Sequence, residues 1–417
     1  MKVLLINNFF YRKGGSEAVF FNTADLLREA GHKVIYFSYK DVESFPCEQE
    51  QFFVDHGGKL KQMQSYFYNR EAAKKLDALI RKEMPDIAHV HLFWGGISPS
   101  IFKVLRKYHV PLVHTAHDYR MVCPAYTFKD GKGHMCERCR RWNYYKCALN
   151  CCSKGSFAES TLMTIEMYTR QIFHNPIKNI NGFIFVSLFS EEKHIEHHRE
   201  FKDAKHIVLY NYTKPKLRTD FSSKGDYFLY YGRLSFEKGI PTLLKVFAHN
   251  PKLKLKVVGT GPLEELLRAE YDKEITAPVG ALEQLKKCYE NIQFLGYHSG
   301  ETLAELVRNA KFVCVPSEWY ENNPMTIVES YSLGTPVIGA RIGGIPEIIN
   351  EGKTGYLFES GDVDDLERVV LEANNVSEDD YLLMCDKAYN FYEKNFSAES
   401  HYKKLIEFYE EILNDKI

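Results

Sequence analysis

The chain has 417 residues, with 54 basic and 55 acidic side chains and a formal net charge of -1. That balance gives no support for a nucleic-acid partner, and no apolar run reaches the about 18 residues of a spanning helix. The length suits two or three domains with cores of their own, and the start, MKVLLINNFFYRKGG, lacks a signal-peptide cleavage pattern, which predicts a cytoplasmic protein.

Residues 3–9, VLLINNF, read as a first β-strand. Residues 15–31 have helical periodicity and end at Gly31, a natural C-cap. HKVIYFSY (32–39) is the next strand, residues 70–85 a helix stopped before Pro85, IAHVHLF (87–93) a strand, and PLVHTAHD (111–118) another after the helix SPSIFKVLRKYH. NGFIFVS (181–187) and HIVLYN (206–211) follow in the same style. This alternation predicts a parallel sheet covered by helices.

Residues 213–226, TKPKLRTDFSSKGD, are polar, basic and Pro-containing and read as a linker. The βα order then restarts: YFLYYGRL (227–234), PTLLKVFAHN, LKLKVVG (253–259), NIQFLG (291–296), ETLAELVRNA, KFVCVP (311–316), a helix after Asn323 and TPVIGA (335–340). From about 377 the chain is helical. The expected architecture is α/β, with two Rossmann-like domains facing across a cleft. Their expected extents are 1–212, with a Cys-rich insertion at 119–155, and 213–392, while 393–417 forms a C-terminal helix packing toward the first domain. Ligands of such sheets bind at the C-terminal ends of the strands.

The second half carries the denser chemistry. In YYGRLSFEKGI, Arg233 and Lys238 follow Gly232 near a helix start, where two cations and unpaired N–H groups can hold a diphosphate. Gly259 and Gly261 in VVGTGPLEELLR permit a tight ligand loop, though two glycines make no full dinucleotide fingerprint. In PSEWYENNPMTIVES, Glu321 and Asn323 stand in a loop, Pro324 suits the first helical position, and Glu329 lies in the second turn. A loop glutamate can reach a sugar hydroxyl and a helix glutamate can accept from a ribose diol. GGIPEII (343–349) is a further Gly-rich turn beside them.

These stretches resemble the retaining nucleotide-sugar glycosyltransferases of the two-Rossmann-domain type, the GT-B fold of glycosyltransferase family 4, group 1. The matching text is KGGSE (13–17), HVH (89–91), HD (117–118), GRLSFEKG (232–239), GTGP (259–262) and the E-x7-E pair Glu321 and Glu329. The resemblance implies that Arg233 and Lys238 bind the donor diphosphate, Glu321 the donor sugar and Glu329 the nucleotide ribose. It brings the loop of Gly14 and Gly15 toward phosphate and acceptor, and favours His117 over His91 as a sugar contact. His89 reads as a satisfied core residue. It implies a nucleotide-diphosphate-sugar donor, a glycan or lipid-linked acceptor and no organic cofactor; peripheral contact with the inner membrane is expected from the basic and aromatic stretch 140–146. The family more often has Glu-Gly-Phe-Gly where this chain has Glu321-Asn322-Asn323-Pro324, so the donor sugar does not carry over.

Six cysteines fall within 123–152. Cys136, Cys139, Cys147 and Cys151 have spacing that suits a structural zinc, with Cys123 or Cys152 as alternates and His134 as a further candidate; free thiols are the competing reading. The neighbouring RRWNYYK (140–146) is basic and aromatic, fit for an anionic interface or for a solvated loop. Two other functions stay open: a nucleotide-sugar-binding scaffold without turnover, and a glycogen-synthase-like polymerase.

Overall fold

The computed structural model describes residues 1–55, 58, 65–214, 225–271 and 289–415. Most of the expected linker, residues 215–224, and Cys288 lie outside the described residues. The chain divides into two compact units, one of residues 1–212 with the segment from Ala398 onward, the other Thr213–Ser397.

The first unit is built on the strands β1 (Lys2–Ile6), β2 (Lys33–Phe37), β5 (Ile87–Val90), β6 (Leu112–Ala116), β7 (Gly182–Phe185) and β8 (His206–Val208), in the order β2-β1-β5-β6-β7-β8 and parallel throughout. A two-stranded ribbon joins β3 (Tyr39–Lys40) to β4 (Val54–Asp55). Strands buried on both faces read as unbroken apolar runs, and β1 and β6 show this, with Val3–Ile6 and all of β6 buried. The helix Arg70–Glu83 starts where the Asn69 side chain accepts from the Ala72 N–H at 3.0 Å and stops at Met84 in the left-handed region.

The helix Ala398–Asn414 belongs to this unit. Leu405, Phe408, Tyr409 and Ile412 from it join Val3, Leu5, Val113 and Ile184 in one core. Gly182 makes room for it: a Cβ there would lie 2.7 Å from atoms of Ile412 and Phe408. The preceding helix, Glu378–Asn395, lies within the second unit, so the chain returns to the first unit between Ser397 and Ala398, five residues later than the expected boundary at 393.

The second unit repeats the architecture with β9 (Tyr227–Tyr231), β10 (Lys254–Val258), β11 (Ile292–Gly296), β12 (Phe312–Val315), β13 (Val337–Ala340) and β14 (Gly355–Phe358), ordered β11-β10-β9-β12-β13-β14 and parallel. Chain direction across the sheet reverses between β9 and β12, and ligands of open α/β sheets bind beyond such a switch. The corresponding reversal in the first unit lies between β1 and β5. The helix Met325–Ser332 begins one residue after Pro324, which stands at its N-cap with extended ψ of 121° rather than at the first helical position.

Candidate active site

In the second unit the loops after β9, β10 and β12 hold the expected residues. Tyr230 donates to the Arg233 carbonyl at 2.7 Å, which fixes the backbone while the Arg233 side chain stays exposed. The Gly259–Gly261 loop is bonded flat onto this turn, with Leu234 N donating to Thr260 O at 2.9 Å and Leu263 N to Leu234 O at 3.1 Å. Here glycine is required by close approach, since a Cβ on Gly259 would lie 1.9 Å from the Gly232 carbonyl oxygen.

Lys238 closes a short 3-10 turn, Phe236–Lys238, and Gly239 follows at φ 67°. Its loop is joined to the loop after β12: Glu318 N donates to Glu237 O at 2.9 Å, and Thr242 Oγ1 donates to Glu318 Oε1 at 2.6 Å. Lys238 Nζ thereby reaches Glu321 Oε1 at 2.5 Å, and Ser317 Oγ donates to the same oxygen at 2.8 Å. Glu321 is buried. Burial pushes its carboxyl upward, but the Lys238 ammonium and the hydrogen bonds outweigh that and hold it below the usual value. Trp319 lies against the same cation, with Lys238 Nζ 5.0 Å from its ring centroid. Gly343 and Gly344 brace the Glu321 backbone: Gly344 N donates to the Glu321 carbonyl oxygen at 2.7 Å, and a Cβ on Gly343 would lie 2.2 Å from that oxygen. Asn323 is buried beside it. Glu329 is half-buried on the helix and adds its charge to the burial that pushes the Tyr231 hydroxyl far up. Tyr231 in turn donates to Thr326 O at 2.7 Å, tying β9 to the start of that helix.

In the first unit, Gly14 and Gly15 are exposed at the start of the helix Gly15–Glu29, whose unpaired N–H groups favour an anion. Two asparagines missed in the sequence set the loops after β1 and β5. Asn7 Oδ1 accepts from Leu92 N at 3.0 Å, and Asn8 Nδ2 donates to Trp94 O at 2.8 Å. Polar residues directly after a buried strand are the signal that could have found them.

His89 is a satisfied core residue, with Nδ1 2.6 Å from Tyr409 Oη and Nε2 2.7 Å from Thr115 Oγ1. His91 Nδ1 lies 2.8 Å from His117 Nε2, the rings stacked with centroids 5.0 Å apart. Burial lowers His91 well below the ordinary imidazole value and brings His117 to about 4, so both are neutral near pH 7. His91 Nε2 has no hydrogen-bond partner among the described residues. A buried lone pair is cheaper to leave bare than a buried N–H, so the His91 proton belongs on Nδ1. His117 then accepts at Nε2 and carries its own proton on Nδ1.

Of the expected zinc set, Cys139 and Cys147 are buried with the alternate Cys123, while Cys136, Cys151 and the alternate Cys152 are half-buried. Cys151 sits on a turn at φ 47°. Burial pushes the Cys123 thiol up to about 12, favouring the neutral form. Among the described residues, no group of three or more His, Cys, Asp or Glu side chains is arranged to hold a metal ion.

Two family models match the chain: Glycosyltransferase Family 4 over residues 13–162 and Glycosyl transferases group 1 over residues 214–380. A protein of the Klebsiella pneumoniae cps region is 24% identical over 88% of this chain and 92% of its own length. The sulfoquinovosyl transferase SQD2 of Arabidopsis thaliana is 32% identical over 33% of this chain, which spans only 24% of that relative. Among solved structures, sucrose-phosphate synthase from Thermosynechococcus elongatus has a TM-score of 0.70 at 17% identity over 100% of both chains. Anabaena HepE in complex with UDP has a TM-score of 0.67 at 16% identity over 99% of this chain and 100% of its own.

Proposed function

Since the chain belongs to the group 1, family 4 glycosyltransferases and is a transferase of the GT-B fold, we propose that it moves a sugar, with retention, from a nucleotide-diphosphate donor to a glycan or lipid-linked acceptor in surface-polysaccharide synthesis. One observation carries the reading most: Lys238, Glu321 and Ser317 meet beyond the switch point of the second sheet, beside exposed Arg233 and a glycine loop. Arg233 and Lys238 hold the donor diphosphate, Glu321 the sugar and Glu329 the ribose. In the first unit, His117 and the loop of Gly14 and Gly15 are the candidate ligand contacts. The cps-region relative supports the pathway, and the UDP held by HepE makes UDP-sugars the first donors to try.

The transfer is a same-face substitution. The bond from the anomeric carbon to the diphosphate oxygen breaks as the acceptor oxygen bonds that carbon on the same side, and the acceptor proton passes to the leaving diphosphate. Arg233 and Lys238 offset the charge that gathers on the leaving group. A double displacement would need a carboxylate on the opposite face; Glu321 is instead engaged by Lys238 and Ser317.

The test is a donor-by-acceptor screen that follows nucleotide-diphosphate release and determines the product linkage. Acceptor-dependent release with an α-donor giving an α-product is expected. Donor binding without release under any acceptor would replace this reading with a non-catalytic binding protein.

A further inference from the structure

The helix Phe157–Phe173 is amphipathic the wrong way round. Its buried positions are Ser160, Thr164, Glu166, Met167, Arg170 and Gln171, five of the six polar. The interior accepts them because Arg170 Nη2 pairs with Glu166 Oε2 at 3.1 Å and the guanidinium stacks 4.1 Å from the Trp94 ring centroid. Its exposed positions are Phe157, Ala158, Ile165, Ile172 and Phe173, and the four large ones are 51–71% exposed. At 100° per residue these fall on one half of the helix together with Thr161, Leu162, Tyr168 and Thr169, and that half carries no charge. The strip runs for about 25 Å at 1.5 Å per residue.

The surroundings extend it. The short helix Tyr145–Leu149 packs against this one and exposes Tyr145 and Leu149, and Tyr168 Oη donates to Trp142 O at 2.7 Å, which holds exposed Trp142 nearby. Setting aside the buried Glu166–Arg170 pair, residues 132–178 carry seven basic and two acidic side chains, in a chain whose formal net charge is -1. Arg140 is engaged by Glu137 and Glu196, and Lys154 by Glu159 at 3.5 Å; exposed Arg141 and Lys178 and half-buried Lys146 have no ion pair among the described residues.

We infer that this face of the first unit docks on an anionic bilayer, with Phe157, Ile165, Ile172 and Phe173 entering the headgroup–acyl boundary and Arg141, Lys146 and Lys178 meeting the lipid charge. Uncharged apolar strips fringed by lysine, arginine and tryptophan suit that boundary. Among the described residues no helix is long and apolar enough to cross a membrane, so the contact is one of lying on the surface. The inference stands apart from the transfer reading, since it needs no donor, and a docked enzyme is well placed for a lipid-linked acceptor.

The experiment is co-sedimentation of the full chain with phosphatidylglycerol–phosphatidylethanolamine vesicles and with phosphatidylcholine vesicles. Binding to the first and not the second is expected, weakening as salt rises from about 0.1 M to about 0.5 M. Ile165→Ser with Phe173→Ser should lower the partition coefficient at least about tenfold, and Arg141→Glu with Lys146→Glu should remove the salt dependence. Circular dichroism and release of nucleotide with a soluble acceptor should be unchanged in both variants. Equal binding by the apolar double variant, or no binding by the parent chain, overturns the proposal. So does a parent chain that sediments as a dimer while the variant is monomeric, which would mean that a second copy covers the face. Failure of sugar transfer alone would leave the vesicle result standing.

Discussion

The ammonium of Lys238 lies 2.5 Å from a carboxylate oxygen of Glu321, a residue 83 positions further along the chain. The pair joins two loops after neighbouring strands, β9 and β12. It makes the expected phosphate cation and the expected sugar-binding acid parts of one unit rather than separate contacts.

Lys238→Ala should therefore do two things. It removes charge stabilisation of the leaving diphosphate, lowering kcat by about 100- to 1,000-fold. It also leaves Glu321 buried without its cation, so burial acts unopposed and raises that carboxyl. For Glu321 in the parent protein the folded value is depressed, so its stabilising contribution is present above the ordinary carboxylate value and lost as pH falls through the lowered one. In Lys238→Ala the sign reverses, and Glu321 costs stability near neutral pH. Urea unfolding at pH 7 and pH 5 checks this: the variant should lose less stability than the parent, or gain some, on acidification.

Glu329 should act on donor binding. Glu329→Ala removes charge-assisted hydrogen bonds to a ribose, worth about 1.5–3 kcal/mol, and should raise donor KM by about 10- to 100-fold with a smaller change in kcat. Steady-state kinetics with the donor varied would show it. A loss confined to kcat would assign Glu329 elsewhere.

His91 should matter through His117. His91→Phe keeps a ring of similar size but removes the N–H that fixes the His117 tautomer. An about 3- to 10-fold loss in kcat/KM is expected, against about 10- to 100-fold for His117→Ala. Nitrogen chemical shifts of His117 would report the tautomer directly; no change in His91→Phe would end the assignment.

Buried neutral histidines should make the first unit acid-sensitive. Burial lowers His114 and His194 to about 3 and His401 to about 4. The unfolded chain binds these protons near the ordinary value of about 6.5, the folded one only below it. Stability should be level above about pH 6.5 and fall toward pH 4 by about 1.4 kcal/mol per pH unit for each such histidine. Urea titrations across this range should show the steepening, and His401→Gln should flatten it.

Gly343→Ala tests the brace behind Glu321. Gly343 stands at φ 60°, and the added Cβ would meet the Glu321 backbone at 2.2 Å. The strain should cost about 1–3 kcal/mol and lower activity together with stability. A thermal shift of the variant alongside its kcat would check both.

Much of this fold was legible in the residues. Apolar runs such as VLLI and FVCV can be buried on both faces only as central parallel strands, and βα alternation orders them. What eluded the reading was set by contacts between distant segments. Nothing local in EKG or in SEWYE says that Lys238 and Glu321 bond; the Gly239 approach to Pro316 and the Thr242–Glu318 bond bring them together. Spacing alone cannot choose between Cys151 and Cys152, which are adjacent in the chain, and Cys151 takes a backbone φ of 47°. No helix is read at 157–173 from the sequence, because its apolar side chains lie on the outer face and the partner that buries its polar face, Trp94 beneath Arg170, lies far upstream.

The helix Ala398–Asn414 supplies Leu405, Phe408, Tyr409 and Ile412 to a core whose strands are made first. On the ribosome, that core must wait with an open flank while residues 213–397 are synthesised, a delay of roughly ten seconds or more at about 5–20 residues per second. Until then Gly182 and its neighbours present apolar surface to the solvent, and a chaperone has its opening. The later-born unit can thus complete its fold before the earlier one, and a stop codon shortly before position 398 would leave a sound second unit attached to a first unit that never closes.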